Sequence, residues 1–337
     1  MAQEIAETGS ILAHQLAANA PATKRVAAVL RERDPRVVVT IARGSSDHAS
    51  LYLKYLVEIE LGVPCASIGP SIASLYQAPL RLEGALALTI SQSGRSPDIV
   101  ALQAAARRAG ALTLALVNDV ESLVARGAEI LLPLHAGREK SVAATKSMIA
   151  ALVAGAALVG EWVGDDKLAE AIEKLPALLS APATQPSPSL IEIIAATKSA
   201  FVLGRGATSA IAAEAALKLK ETCAIHAEAF SSAEVLHGPA AIVTPGFLVI
   251  AFMPQDAARK GMGETLQQLA RMGAHIVVVD VAPSPTQPVL VVPAADHQVL
   301  TPIVMIHRFY GLVEACAQAL GRDPDNPPHL RKVTETT

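Results

Sequence analysis

Cysteine is scarce in these 337 residues: Cys65, Cys223 and Cys316 stand far apart and form no C-x-x-C pair. That spacing supports neither a disulfide framework nor a zinc site, and it points to a reducing compartment. Aromatics make up only 3% of the chain, and neither sign of charge dominates, the net being −3. Without a basic surplus the chain lacks the electrostatic footprint of a nucleic-acid binder, so any anion site must be local. The longest apolar run, residues 149–160, falls short of the ~20 residues that a bilayer crossing needs. Glu4 and Glu7 stand where a secretory leader would have its apolar core. These absences predict a soluble, cytoplasmic protein with no membrane partner.

What the chain does have is 51% hydrophobic residues, enough over this length for two substantial cores. Continuous apolar runs at 37–41, 85–90, 112–117 and 129–132 alternate with longer helical patterns. The alternation returns at 201–203, 247–252, 275–279 and 289–292. Strands buried on both faces read as unbroken runs, so the fold class is α/β with doubly wound parallel sheets. The halves repeat. Arg43-Gly44-Ser45-Ser46 returns 162 positions later as Arg205-Gly206-Ala207-Thr208, and Arg108-Ala109-Gly110-Ala111 returns 163 later as Arg271-Met272-Gly273-Ala274. Pro176, Pro182, Pro186 and Pro188 predict a non-helical linker between them. The expected division is a helical segment over 1–30, a first domain over 31–175, a linker over 176–189, a second domain over 190–322 and a tail over 323–337.

Ser91-Gln92-Ser93-Gly94-Arg95-Ser96 is the most informative stretch: it ends an apolar strand and opens a helix. Backbone N–H groups and the positive end of a helix dipole make such a turn an anion seat, and serine hydroxyls add donors without bulk. One serine would serve as a helix cap. Three around a glycine predict a phosphate ligand. Ligands of doubly wound sheets sit beyond the carboxyl ends of the strands, where this turn and the Arg43 turn both fall.

Glu214, Lys218 and Glu221 recur at i, i+4 and i+7 on a helical segment over 210–222, so they share one face. An exposed salt-bridge ladder is the plain reading. The segment is otherwise alanine and leucine, however, and His226, Glu228, Glu234 and His237 crowd in after it. A carboxylate can carry a proton between adjacent carbons, and a histidine can open a hemiacetal ring. A lysine can stabilise enolate charge or form an imine. This inventory fits aldose–ketose isomerisation with no metal and no cofactor. Gly204-Arg205-Gly206 lacks the third glycine of a dinucleotide fingerprint, and no Walker lysine follows a glycine loop. His14, His48, His275 and His297 stand alone and read as structural or surface residues. The basic tail over 329–334 reads as a frayed terminus.

Taken together, these residues resemble the sugar isomerase (SIS) family, and the chain resembles the isomerase half of glucosamine-6-phosphate synthase. The matching stretches are Ala42-Arg43-Gly44-Ser45-Ser46, Ile90-Ser91-Gln92-Ser93-Gly94, Val142-Ala143-Ala144-Thr145-Lys146, the Glu214 to Glu221 helix, Ile225-His226-Ala227-Glu228-Ala229, Val235-Leu236-His237-Gly238-Pro239 and the tail over 330–334. The resemblance implies two tandem SIS domains, with Gly44, Ser45, Ser46, Ser91, Gln92, Ser93 and Ser96 around the sugar phosphate. Val142 and Ala144 fall where the family's backbone touches the sugar. Glu221 takes the place of the carboxylate that shuttles a proton between C1 and C2, with Lys218 and Glu214 in support. His237 matches the ring-opening histidine, which in the family comes from the neighbouring subunit. Lys332 matches the tail lysine that reaches the open-chain carbonyl. A homodimer with a shared site, and a tail that acts as a lid, follow from the same resemblance.

Two departures set the expected reaction. The synthase begins with a glutaminase domain opened by a nucleophilic cysteine, whereas here Met1-Ala2 lead into a helix. Its sugar loop reads Cys-Gly-Thr-Ser where this chain has Ala-Arg-Gly-Ser-Ser. Both features are similar to stand-alone glucosamine-6-phosphate deaminases of this fold. Isomerising deamination of glucosamine 6-phosphate to fructose 6-phosphate and ammonia is therefore expected. The alternatives are a fructosamine-phosphate deglycase, an ammonia-dependent or isomerase-only enzyme of the synthase type, and a non-catalytic sugar-phosphate sensor.

Overall fold

The computed structural model describes residues 1–182 and 185–332; Ala183 and Thr184 of the expected linker, and Val333 and Thr334 of the tail, lie outside the described residues. The elements run α1 (Ala2–Arg33), β1 (Val38–Ile41), α2 (Ser45–Glu60), β2 (Cys65–Ser67), α3 (Ser71–Ser74), β3 (Leu86–Ser91), α4 (Pro97–Arg108), β4 (Leu112–Val117), α5 (Leu123–Gly127), β5 (Ile130–Pro133), α6 (Lys146–Val163) and α7 (Asp166–Ser180). They continue as α8 (Pro188–Ala195), β6 (Ser199–Gly204), α9 (Ala207–Cys223), β7 (His226–Ser231), β8 (Leu248–Phe252), α10 (Arg259–Arg271), β9 (His275–Asp280), β10 (Val289–Val291) and α11 (Thr301–Ala319).

Two five-stranded sheets form, β2-β1-β3-β4-β5 and β10-β9-β8-β6-β7, and every pairing is parallel. The fold is the doubly wound α/β pair that the unbroken apolar runs imply, and β3 and β8 are buried at every residue. In each sheet the second strand lies on one side of the first and the third on the other. The switch points therefore fall between β1 and β3 and between β6 and β8.

The chain divides into two compact units that are not contiguous. The first-sheet unit takes Glu7–Glu139, Lys146–Ala177 and the described tail residues Arg331 and Lys332. The second-sheet unit takes Met1–Ala6, Lys140–Thr145 and Leu178–Leu330. The simple sequential division thus misses that Val142 and Ala144 group with the second sheet.

Two local expectations are corrected. α7 continues through Pro176 to Ser180, so the non-helical stretch begins only at Ala181. A proline this close to a helix end removes a single backbone bond, and burial of Leu175 and Leu179 on either side offsets that loss. The apolar run over 149–160 is also part of a longer helix: α6 spans 18 residues, a length and composition that could cross a membrane. Within that window 83% is buried inside the protein, as in a core helix.

His307 of α11 lies in the second-sheet unit, buried, with Nε2 paired to the Ile5 carbonyl at 3.1 Å. Burial pushes its pKa down to about 4 from an ordinary 6.5. Below pH 6.5 the unfolded chain therefore takes up a proton that the folded chain refuses until pH nears 4. Stability is full above this window and falls within it, by up to about 1.4 kcal/mol per pH unit. His307→Gln should flatten this component when urea midpoints are compared at about pH 7 and about pH 5. Equal slopes in wild type and variant would reject the assignment.

Candidate functional site

The first-sheet switch point carries the predicted seat. β1 and β3 are hydrogen-bonded neighbours, with Ile41 opposite Thr89, so the loops leaving their carboxyl ends lie side by side. Gly44 enters α2 at φ 55° and ψ −133°, a bend that a side chain would strain. Ser45 and Ser46 then open the helix, both half-buried. On the other loop Ser91 ends β3 with its Oγ accepting the Gly94 N–H at 2.9 Å, and Ser93 Oγ accepts from Arg95 at 3.4 Å. Ser96 precedes α4 but makes no side-chain capping bond, so the plain helix-cap reading does not account for it.

Two arginines brace these loops. Arg43 reaches the buried Asp98 through Nε at 2.8 Å and Nη2 at 2.7 Å, tying the β1 loop to the start of α4. Arg95 grips Asp119 at 3.0 and 2.7 Å, which holds that carboxyl below its ordinary range. Each guanidinium is thus matched by a carboxylate. Attraction for an anion at this seat falls to backbone N–H groups, hydroxyls and the α2 and α4 dipoles. Gly94 fixes the turn: it has φ 60°, and a Cβ there would meet Ser122 Oγ at 2.2 Å and Val117 at 2.9 Å. Gly94→Ala should cost about 2–4 kcal/mol in urea unfolding. A variant of wild-type stability would show that the turn tolerates a side chain.

The second-sheet unit carries the ionisable cluster. Glu214 and Lys218 of α9 have fully buried side chains, and Glu221 one turn on is 20% exposed. Lys218 Nζ bonds to Glu221 Oε2 and lies 3.4 Å from Glu214 Oε1. The exposed-ladder reading is thereby excluded: the ammonium and one of its two carboxylates are held out of water, and only Glu221 reaches it. Tyr310 of α11, fully buried, donates its phenol to Glu214 Oε1 at 3.1 Å. Sequence reasoning missed Tyr310, since 96 positions separate the partners and no spacing rule links them.

The remaining candidates fall as follows. Val142 and Ala144 are half-buried between buried Ser141, Ala143 and Thr145, and the Val142 N–H donates to the Asp325 carbonyl at 3.1 Å. His237 is exposed, in a short 3₁₀ turn before Gly238, and its ring makes no hydrogen bond among the described residues. His226 and Glu228 point outward from β7, an edge strand, and are solvated. Lys332 is held rather than frayed: Nζ donates to Glu139 Oε2 at 2.9 Å. Glu139 is itself buried and also accepts from Ser147 N at 3.1 Å and Ser147 Oγ at 2.7 Å. The sequence gives no hint of this anchor. Among the described residues no group of three or more His, Cys, Asp or Glu could share a metal.

The two copies of the fold diverge from a common bend. Gly206 opens α9 at φ 60° and ψ −137°, nearly the values of Gly44 before α2. Counting 162 positions back from Glu214, Lys218 and Glu221 gives Tyr52, Leu56 and Ile59 of α2. One helix carries charged groups where its counterpart carries a tyrosine and two aliphatic residues. In the second copy Thr208 Oγ1 is turned onto its own loop, accepting the Arg205 N–H at 2.9 Å.

Fold and residues together define a duplicated, doubly wound α/β protein with a serine-rich seat in one copy and a buried acid–base cluster in the other. The chain belongs to the SIS domain family, whose pattern matches residues 30–160 and 193–319. It is 32% identical over 354 residues to a glutamine–fructose-6-phosphate aminotransferase (isomerizing) of Bradyrhizobium diazoefficiens, covering 98% of this chain and 58% of that one. The chain spans about half the length of the curated relatives it matches. A Silicibacter pomeroyi protein described as a phosphosugar isomerase is 47% identical, with a TM-score of 0.91 over 96% of this chain and 98% of its own. The C-terminal domain of a glucosamine-fructose-6-phosphate aminotransferase from Francisella tularensis is 26% identical, with a TM-score of 0.83 over 97% and 98%.

Proposed function

We propose that this protein is a phosphosugar isomerase that deaminates glucosamine 6-phosphate to fructose 6-phosphate and ammonia. The observation that carries the reading is the Glu214–Lys218–Glu221 cluster, buried except at Glu221. Only the outermost carboxylate meets solvent, as a base for an incoming carbon acid requires. The seat built from Ser45, Ser46, Ser91, Ser93 and Ser96 takes the phosphate.

His237 moves a proton from the anomeric hydroxyl to the ring oxygen, giving the open-chain amino aldehyde. Glu221 then takes the C2 proton, the electrons of that bond form a C1–C2 double bond, and the aldehyde oxygen takes a proton from solvent. The same carboxyl returns its proton to C1 while the nitrogen releases one to solvent, leaving a C2 imine. Water adds to the imine and ammonia departs, yielding the ketose. Lys218 stabilises Glu221 as the anion before the first transfer and after the second, and Lys332 is assigned to the carbonyl oxygen as charge develops there.

The exposed, unbonded ring of His237 supports a second part of the proposal, a homodimer in which this histidine serves the neighbouring copy.

The test is incubation with glucosamine 6-phosphate while ammonia and fructose 6-phosphate are measured together. Equal release of both is expected. Cleavage of a fructosamine-phosphate adduct in their place would make the protein a deglycase, and tight binding without product would make it a sensor.

A further inference from the structure

We propose that Tyr310 is a positioning residue that acts through Glu214 and Lys218 to set how readily Glu221 takes a proton. The inference rests on the proposed function for its catalytic meaning, but its physical basis is independent of any substrate. Tyr310 and Lys218 converge on the same oxygen, Glu214 Oε1, at 3.1 and 3.4 Å. A hydrogen bond to a buried carboxylate is strong, and a buried carboxylate deprived of a donor is costly. The phenol therefore satisfies part of Glu214's demand and leaves Lys218 to lean on Glu221, to which it is bonded. Remove the phenol, and Glu214 draws the ammonium toward itself and away from Glu221.

The other charged and titratable groups on α9, α11 and β7 are engaged, neutral or solvated: on α9 itself Lys220 is exposed, and burial pushes the Cys223 thiol up. α11 packs along α9 and carries His307, Arg308, Glu314 and Cys316 besides Tyr310. His307 is paired with the Ile5 carbonyl, Arg308 with the carbonyls of Leu178 and Ala181, and Glu314 with Gln318. The Cys316 thiol is held neutral by burial. On β7, which also packs on α9, His226 and Glu228 are exposed. Tyr310 is thus the α11 group placed to act on the cluster, and its hydroxyl is buried with the pair it adjusts.

The experiment follows the Glu221 carboxyl by carbon-13 NMR in protein labelled at glutamate, with Glu221→Gln used to identify the signal. In Tyr310→Phe the pH at which that carboxyl titrates should rise by about one unit, a tenfold change in proton affinity. In Glu214→Gln the competing charge is gone and Lys218 is released to Glu221, so the midpoint should move the opposite way. Opposite displacements in the two folded variants establish the relay. An unchanged midpoint in Tyr310→Phe overturns it. Should that variant fail to fold, 3-fluorotyrosine at position 310, a stronger phenol donor of nearly the same shape, decides: a fall in the midpoint supports the relay, and no change or a rise overturns it. If wild type deaminates glucosamine 6-phosphate, the acidic limb of kcat/KM should move with the NMR midpoint in each variant. Absence of turnover in wild type would count against the proposed reaction and leave the NMR result standing by itself.

Discussion

Glu221→Gln is expected to lower kcat by about 1,000-fold while sugar-phosphate affinity stays within about threefold of wild type. The change is isosteric and keeps an oxygen for Lys218 to hold, so neither the α9 helix nor the cluster need rearrange. What disappears is the group proposed to accept the C2 proton. Calorimetric titration with fructose 6-phosphate gives the affinity, and coupled detection of ammonia gives the rate. Turnover within tenfold of wild type would place the base elsewhere. A parallel collapse of affinity and rate would make Glu221 a binding group instead.

The second large effect concerns stability. Lys218→Met removes the ammonium that compensates Glu214, whose side chain is fully buried. Breaking a buried ion pair from one side leaves an uncompensated charge and costs about 3–5 kcal/mol. Methionine fills a similar volume, so packing loss contributes little by comparison. The diagnostic step is a second substitution: Glu214→Gln added to Lys218→Met should recover more than half of the loss. Urea unfolding of the single and double variants measures both quantities. A loss below about 1 kcal/mol in Lys218→Met would mean that the cluster does not hold its charges as drawn.

The strands that the sequence betrays are unbroken apolar runs, most of them covered on both faces, with β5 and β10 read in the same way at sheet edges. β2 and β7 escape notice for the opposite reason. Both are sheet edges; Cys65-Ala66-Ser67 is short, and His226-Ala227-Glu228-Ala229 alternates exposed with covered positions. The ionisable crowd after α9 therefore looks denser as a string than in space. Helical spacing puts Glu214, Lys218 and Glu221 on one face, but only packing reveals that the face points inward. The partners that complete each group come from distant chain: Asp98 for Arg43, Tyr310 for Glu214 and Glu139 for Lys332. Spacing rules act within a turn or two of helix, so contacts of this kind have no local signature.

The matching bends at Gly44 and Gly206 put one backbone frame to two uses. Tyr52, Leu56 and Ile59 occupy the helix positions of one copy that Glu214, Lys218 and Glu221 occupy in the other. Halves that differ in this way are not interchangeable spares, and exchanging one helix for its counterpart would remove every ionised group from that face.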